Sequence, residues 1–256
     1  MNLPRRGWLR GASASLAALA LTGCDKIAEQ AGVVKALSSA EGLNRRVQRL
    51  IGRNALAREF SRADITQSFK ANGTLDPPDA DYKALAAGAF ADWRLQVAGL
   101  VDKPLTLSLA DLKAMPARTQ ITRHDCVEGW SCIGEWTGAK LAPIMALAGL
   151  QPAARHIVLY CADTLDGAAP AGQQQYYETL DMPDVFHPQT ILAYAMNGAP
   201  LSVPHGAPLR LRAERHLGYK QAKYVMRLEA VADYAHIGAG KGGFWEDRGY
   251  EQYAGI

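Results

Sequence analysis

The spacing of apolar residues changes period several times along the chain, and each change predicts an element. Leu43, Val47, Leu50 and Ile51 fall at i, i+4, i+7 and i+8, one apolar face of a helix. Arg45, Arg46 and Arg49 lie on its polar side, available to anionic lipid or a partner, though a solvated face is the plainer reading. Trp93-Arg-Leu-Gln-Val-Ala-Gly99 alternates and reads as a strand ending in a turn. Ser108 can cap a helix over Leu109–Met115 that Pro116 closes. A strand-like run, Thr119 to Thr122, leads to Cys126, and a short apolar helix follows over Leu141–Leu150 between Gly138 and Gly149. His156-Ile-Val-Leu-Tyr-Cys161 is continuous and short enough for a buried strand. Gln173-Gln-Gln-Tyr-Tyr leads out of a Gly-rich loop into another strand, and Asp184–Met196 reads as a helix interrupted near Pro188. Asn197-Gly198 is a turn, as is Asp76-Pro77-Pro78 after the stretch Ile65–Thr74. Strands and helices mixed without regular alternation or repeats predict one α+β domain over 61–256, preceded by a tether and amphipathic helix over 25–60.

Composition narrows this picture at its N-terminal end. A 48% hydrophobic, 21% charged chain of 256 residues is globular rather than disordered. Its formal charge of +3 comes from Arg5, Arg6 and Arg10; without them 25 basic residues face 25 acidic ones. That balance argues against nucleic acid as a partner. Residues 1–24 read as a targeting segment: Pro4-Arg5-Arg6-Gly7-Trp8-Leu9-Arg10 has the twin-arginine pattern, and Leu21-Thr22-Gly23-Cys24 resembles a lipoprotein cleavage box. The expectation is a periplasmic protein exported folded and held at the inner membrane through a lipid on Cys24, the alternative being an ordinary cleaved signal. No apolar stretch after residue 30 is long enough to span a bilayer.

The densest chemistry lies in Arg-His-Asp-Cys-Val-Glu-Gly-Trp-Ser-Cys-Ile-Gly-Glu-Trp, residues 123–136. Cys126 sits where a strand gives way to a turn, beside cations and turn amides that can hold a thiolate, the form that attacks electrophiles or ligates metals. Three plainer readings stand beside that one. Cys126 can be a buried structural cysteine, can pair with Cys132 or Cys161 in an oxidising compartment, or can join His124 at zinc, although no CxxC or HExxH spacing accompanies it.

Cys-Val-Glu-Gly-Trp-Ser, followed by Trp136-Thr-Gly138 and the Leu141-Ala-Pro-Ile-Met helix, resembles the sulfite oxidase superfamily. It is most similar to the bacterial branch of molybdopterin-type periplasmic methionine-sulfoxide reductases. The resemblance implies a mixed α/β fold of that type and a molybdenum-molybdopterin cofactor, with Cys126 as the metal ligand. A soft thiolate suits a metal already bound through dithiolene sulfur. It further implies cofactor contacts from Lys70 and Asn72 in the loop after Phe69, from Cys161 and Asp163, and from His205, Arg210, Gln221, Ala222 and Lys223. Of these, Arg210 and Lys223 would serve a phosphate, with backbone amides from Gln221 and Ala222; Lys220 is held in reserve. Read from pattern alone, Leu209 to Arg212 is a strand with one wet face, leaving Arg212 and Arg215 as solvated charges.

Glu128 and Trp130 are expected to line the access funnel, Glu128 taking part in catalysis with Cys126. Sulfite oxidases place an Asn-Arg pair after the glycine of this segment, where Trp130-Ser131 stands here. The change favours an uncharged small-molecule oxo-acceptor such as an S-oxide over sulfite, while His205 resembles the sulfite-oxidising members. A cofactor-free binding lipoprotein is the alternative from another class. With no haem-attachment Cys-x-x-Cys-His and no iron–sulfur cysteine cluster, electrons are expected from a separate cytochrome or membrane quinone subunit. Phe244–Tyr253 resembles the family's C-terminal segment, which either closes one edge of the site or packs on the core.

Overall fold

The computed structural model describes residues 55–165, 167–170 and 173–256, with scattered positions between 30 and 50. The leader, Cys24 and Ile51 lie outside the described residues. The chain divides into two compact units, Met1–Arg53 and Asn54–Ile256. In the first, the described positions from 32 to 50 are helical, and Leu43, Val47 and Leu50 are exposed. Among the described residues no helix is long and apolar enough to cross a membrane.

Among its described residues the second unit carries ten strands and four short α-helices. One sheet runs in the order β2-β1-β10-β5-β6: β1 is Leu95–Gly99, β2 Leu105–Leu107, β5 His156–Thr164, β6 Gln175–Asp181 and β10 Val225–Val231. Strand β10 pairs parallel with β1 and antiparallel with β5. The other sheet is built on the hairpin of β3 (Ala117–Asp125) and β4 (Ser131–Lys140). Strand β7 (Ile191–Met196) adds to β4, and β8 (Ala199–Pro200) and β9 (Arg210–Arg212) pair with β7. The main core joins both sheets: Leu95, Leu159 and Leu228 of the first cluster with Ala139, Leu192 and Leu211 of the second.

Local chemistry explains the element ends. The helix α1, Ala80–Ala87, begins where the Asp79 carboxylate accepts from the Tyr82 amide at 2.7 Å. Helix α2, Leu109–Ala114, carries a reciprocal capping box between Ser108 and Asp111. Helix α3, Leu141–Ala148, stops at Gly149, whose φ of +70° puts it in the left-handed region. Helix α4 is only Met182–Val185.

The interrupted helix expected over Asp184–Met196 does not form. Its second half is β7, buried along most of its length between β4 on one side and β8 and β9 on the other. A strand covered on both faces shows no alternation, so Ile-Leu-Ala-Tyr-Ala-Met carried no period-two signal. The turn after it does form, with Asn197 at φ +50° and Gly198 at φ +79°, the primed geometry that joins β7 to β8. The wet face expected around Arg210 and Arg212 is also absent, because every residue of β9 is buried. Arg212 forms a two-pronged ion pair with Glu214 and donates to His124 Nδ1 at 3.0 Å. Both guanidinium groups lie over the Trp136 ring, at 4.8 Å for Arg210 and 4.4 Å for Arg212.

Candidate active site

The β3–β4 hairpin places Cys126 at its tip. The Cys126 amide donates to the Trp130 carbonyl at 2.9 Å and its carbonyl accepts from Gly129, at φ +84°. Cys126 is partly buried, and Cys126, Cys132 and Cys161 are all free thiols. Burial raises the Cys126 pKa; the Val127 and Glu128 amides and Lys70 oppose that rise and the Glu128 carboxylate adds to it. The protein alone therefore keeps a thiol there, contrary to the thiolate expected from the surrounding cations; a bound metal cation removes that proton outright. Among the described residues no three His, Cys, Asp or Glu side chains group as a metal site, so the zinc reading with His124 has no support. His124 is buried, and its Nδ1 accepts from Arg212; burial and the cations Arg212, Arg210 and Lys223 hold it neutral.

Cys126 opens onto a cleft of about 730 Å³, counting its mouth. Six of the expected site residues meet there: Asn72, Cys126, Glu128, Asp163, Gln221 and Lys223. Gly218 joins them for a steric reason. A Cβ at 218 would stand 2.7 Å from His124 Nε2 and 3.2 Å from the Asp125 carbonyl, so a glycine lets this turn lie against the end of β3. Glu128, exposed at the mouth, accepts from Trp130 Nε1 at 2.9 Å and pairs with Lys70 at 3.7 Å, while the Lys70 ammonium lies 4.9 Å from the Trp130 ring.

The other expected residues lie away from the cleft lining. Cys161 is fully buried in the main core, and burial and nearby carboxylates hold it a thiol. Ala222 is buried, its carbonyl taken by the Leu211 amide. His205 bonds Ser202 Oγ at 2.9 Å and the Phe69 carbonyl at 3.2 Å. Arg210 donates to the carbonyls of His205 and Gln221. Lys220, the reserve phosphate ligand, is fully buried and ion-paired to both Glu178 and Glu246, which use up its charge.

Four aromatic residues line the cleft beside Cys126: Tyr176, Tyr219, Trp245 and Tyr250. Tyr176 is a functional-site residue with little to mark it in the sequence. Its only signal was a place two residues before Glu178 on a strand whose faces are both buried.

Among the described residues, two buried cations here, Lys223 and Arg210, make no ion pair with an acidic side chain. The Lys223 ammonium donates to the carbonyls of Asn72, Thr74 and Pro204, at 2.6, 2.5 and 2.9 Å. Burial and Arg210 push its pKa down to about 7, with Asp163 pulling the other way. Arg210 leaves its buried Nε without a partner. The two share one cradle, because a Cβ at Gly206 would lie 3.0 Å from Lys223 Cγ and 3.2 Å from Arg210 Cβ. A pair of desolvated cations bonded only to neutral carbonyls fits an anionic ligand such as a pterin phosphate.

A thiol lining a cleft and an anion cradle at its side suit an enzyme that holds an anionic cofactor. Residues 83–236 match the family of the oxidoreductase molybdopterin binding domain, and this chain belongs to that family, in the sulfite oxidase superfamily. It is 35% identical, over its whole length and 89% of the other chain, to a protein of Azospira oryzae provisionally named protein-methionine-sulfoxide reductase subunit YedZ1. It is 32% identical over 73% of its length to the oxidoreductase YuiH of Bacillus subtilis, covering 83% of that chain. A third relative, the protein-methionine-sulfoxide reductase catalytic subunit MsrP of Campylobacter jejuni, is 30% identical over 54% of this chain and 48% of its own.

Proposed function

We propose that the chain is the catalytic subunit of an exported reductase of neutral S-oxides, with Cys126 holding molybdenum and Arg210 and Lys223 the phosphate of the pterin. When bound, molybdenum-molybdopterin supplies two-electron oxygen-atom transfer. The chain's own residues position the reactants. Trp130, Glu128 and Lys70 brace one another at the mouth, and Asp163, its pKa raised by burial, faces the cleft beside Lys223. Reduction of a sulfoxide to its thioether takes two electrons and two protons and releases water. The electrons come from a separate redox partner, in keeping with relatives named as subunits.

One observation carries the choice of a neutral substrate. Among the described residues lining the cleft, Lys223 is the single cation, and it is buried. Sulfite, an anion near neutral pH, would need a free cation, whereas the exposed ammonium at the mouth, Lys70, is already paired with Glu128. Export rests on the twin-arginine pattern and anchoring on Cys24; both support placement beside a membrane-bound partner.

Elemental analysis of the exported protein, with fluorescence of the released pterin, is the test. One molybdenum and one pterin are expected per chain, against no molybdenum in Cys126→Ser. The loaded protein should reduce methionine sulfoxide with a reduced dye and leave sulfite unoxidised. A well-folded sample without molybdenum would remove the cofactor assignment.

A further inference from the structure

The aromatic residues of the cleft belong to one connected set of rings, and the later part of the chain supplies most of it. Tyr176 stacks on Phe244 at 5.6 Å, Phe244 meets Trp245 edge-on at 5.4 Å, Trp245 lies 5.4 Å from Tyr250, and Tyr250 meets Tyr219 edge-on at 5.0 Å. Trp245 and Tyr250 are partly exposed and line the cleft, whereas Phe244 is buried behind them.

That segment is fixed from below at several points. Gly243 bridges to Glu178 on β6, and the Phe244 amide donates to the Tyr177 carbonyl at 3.0 Å. Glu246 pairs with Lys220 at 2.6 Å, and Lys220 is at once held by Glu178. A Cβ at Gly243 would fall 2.0 Å from Glu246 Oε2, so only glycine lets the backbone lie this close to the ion pair. At the far end Tyr219 donates its hydroxyl to the Glu251 carbonyl at 2.6 Å. The aromatic edge is thus a rigid, uncharged surface facing the same space as Cys126.

We infer that Trp245 and Tyr250 form a substrate-positioning wall that receives the apolar substituent of an S-oxide. The inference rests on the S-oxide reading and names what that substrate carries: an aryl or thioalkyl group wide enough to lie against two rings. The cleft separates its tasks by composition. Lys223 and Asp163 gather with the Asn72 loop, while Trp245, Tyr250 and Tyr219 gather around the C-terminal segment. An uncharged aromatic edge gains from ring and thioether contacts and gives a small anion no charge to pair with.

The test is calorimetric binding of methyl phenyl sulfoxide and of dimethyl sulfoxide to the oxidised, molybdenum-loaded protein and to Trp245→Ala and Tyr250→Ala. The aryl sulfoxide should bind about five- to tenfold more weakly to each variant, the contribution of one aromatic contact, while dimethyl sulfoxide changes little. Trp245→Phe should recover most of the loss, and molybdenum and pterin content should stay at one per chain throughout. Equal weakening of both sulfoxides, unchanged aryl binding in both alanine variants, no aryl binding to the wild type, or loss of pterin from the variants would each overturn the wall. Dye-linked turnover is read separately. Wild-type protein that binds the aryl sulfoxide through these rings yet reduces no S-oxide would overturn the functional reading and leave the wall standing.

Discussion

Lys223 concentrates the electrostatics of the site in one residue. Its ammonium is buried against three carbonyls, and its pKa drops from 10.5 to about 7 because burial and Arg210 disfavour the charge. A folded-state pKa below the unfolded one means that the unfolded chain binds more protons between those two values. The resulting cost to stability is full below about pH 7 and is relieved as pH rises toward 10.5. Urea unfolding of cofactor-free protein at pH 7 and pH 9.5 should therefore show a gain in stability at the higher pH. Lys223→Met should flatten that gain, since methionine fills much the same volume without a charge. A bound phosphate reverses the sign by favouring the charged lysine, so loaded protein should lack the gain.

Among the elements, the β4–β7 junction bears most directly on the position of Cys126, because β4 is the return strand of its hairpin. The pairing shifts register between Thr137 and Gly138, where the two backbones touch closely. A Cβ at Gly138 would lie 2.2 Å from the Leu192 carbonyl and 2.5 Å from Ala193 Cα, and backbone cannot swing aside as a side chain does. Gly138→Ala should lower stability by at least about 1–3 kcal/mol, the range of overpacked cores, in denaturant titration. Elements with a local stop or start were legible in the sequence: Ser108 with Asp111, Gly149, and Asn197-Gly198 each state their own boundary. β7 was not, because Leu, Ala and Met give a helical propensity that pairing with three strands overrides. The burial of Arg212 had one local sign, since Glu214 two positions on shares its face of an extended chain. Lys220 had none, because Glu178 and Glu246 stand 42 and 26 residues away. The Cys126 turn was readable because its residue types are unusual together; Tyr176 was not, because a tyrosine in a buried strand is ordinary.

In the whole molecule, the first sheet is held together by a strand that comes late. β10 lies between β1 and β5, which precede it by more than 60 residues and have no direct pairing with each other. A fragment ending at Tyr224 contains every other strand of that sheet, but it leaves β1 and β5 unjoined and a row of backbone groups on each without partners. It should show no cooperative urea transition, whereas the chain through Ile256 should unfold in a single step over 55–256. Long-range parallel pairing of this kind also slows folding, since the loop between partners must close before any contact rewards it.

The same arrangement sets an order of events during synthesis. While the ribosome is still adding residues before 225, the sheet has no middle, and until it has passed Tyr250 the cleft lacks Trp245 and Tyr250 of the four rings that line it. A growing chain that ends at Tyr224 holds Cys126, Arg210 and Lys223 but not the strand that joins the two halves of the sheet. Cofactor loading is therefore expected to follow the addition of Val225–Tyr250, which joins the two halves of the sheet and completes the ring of aromatic side chains.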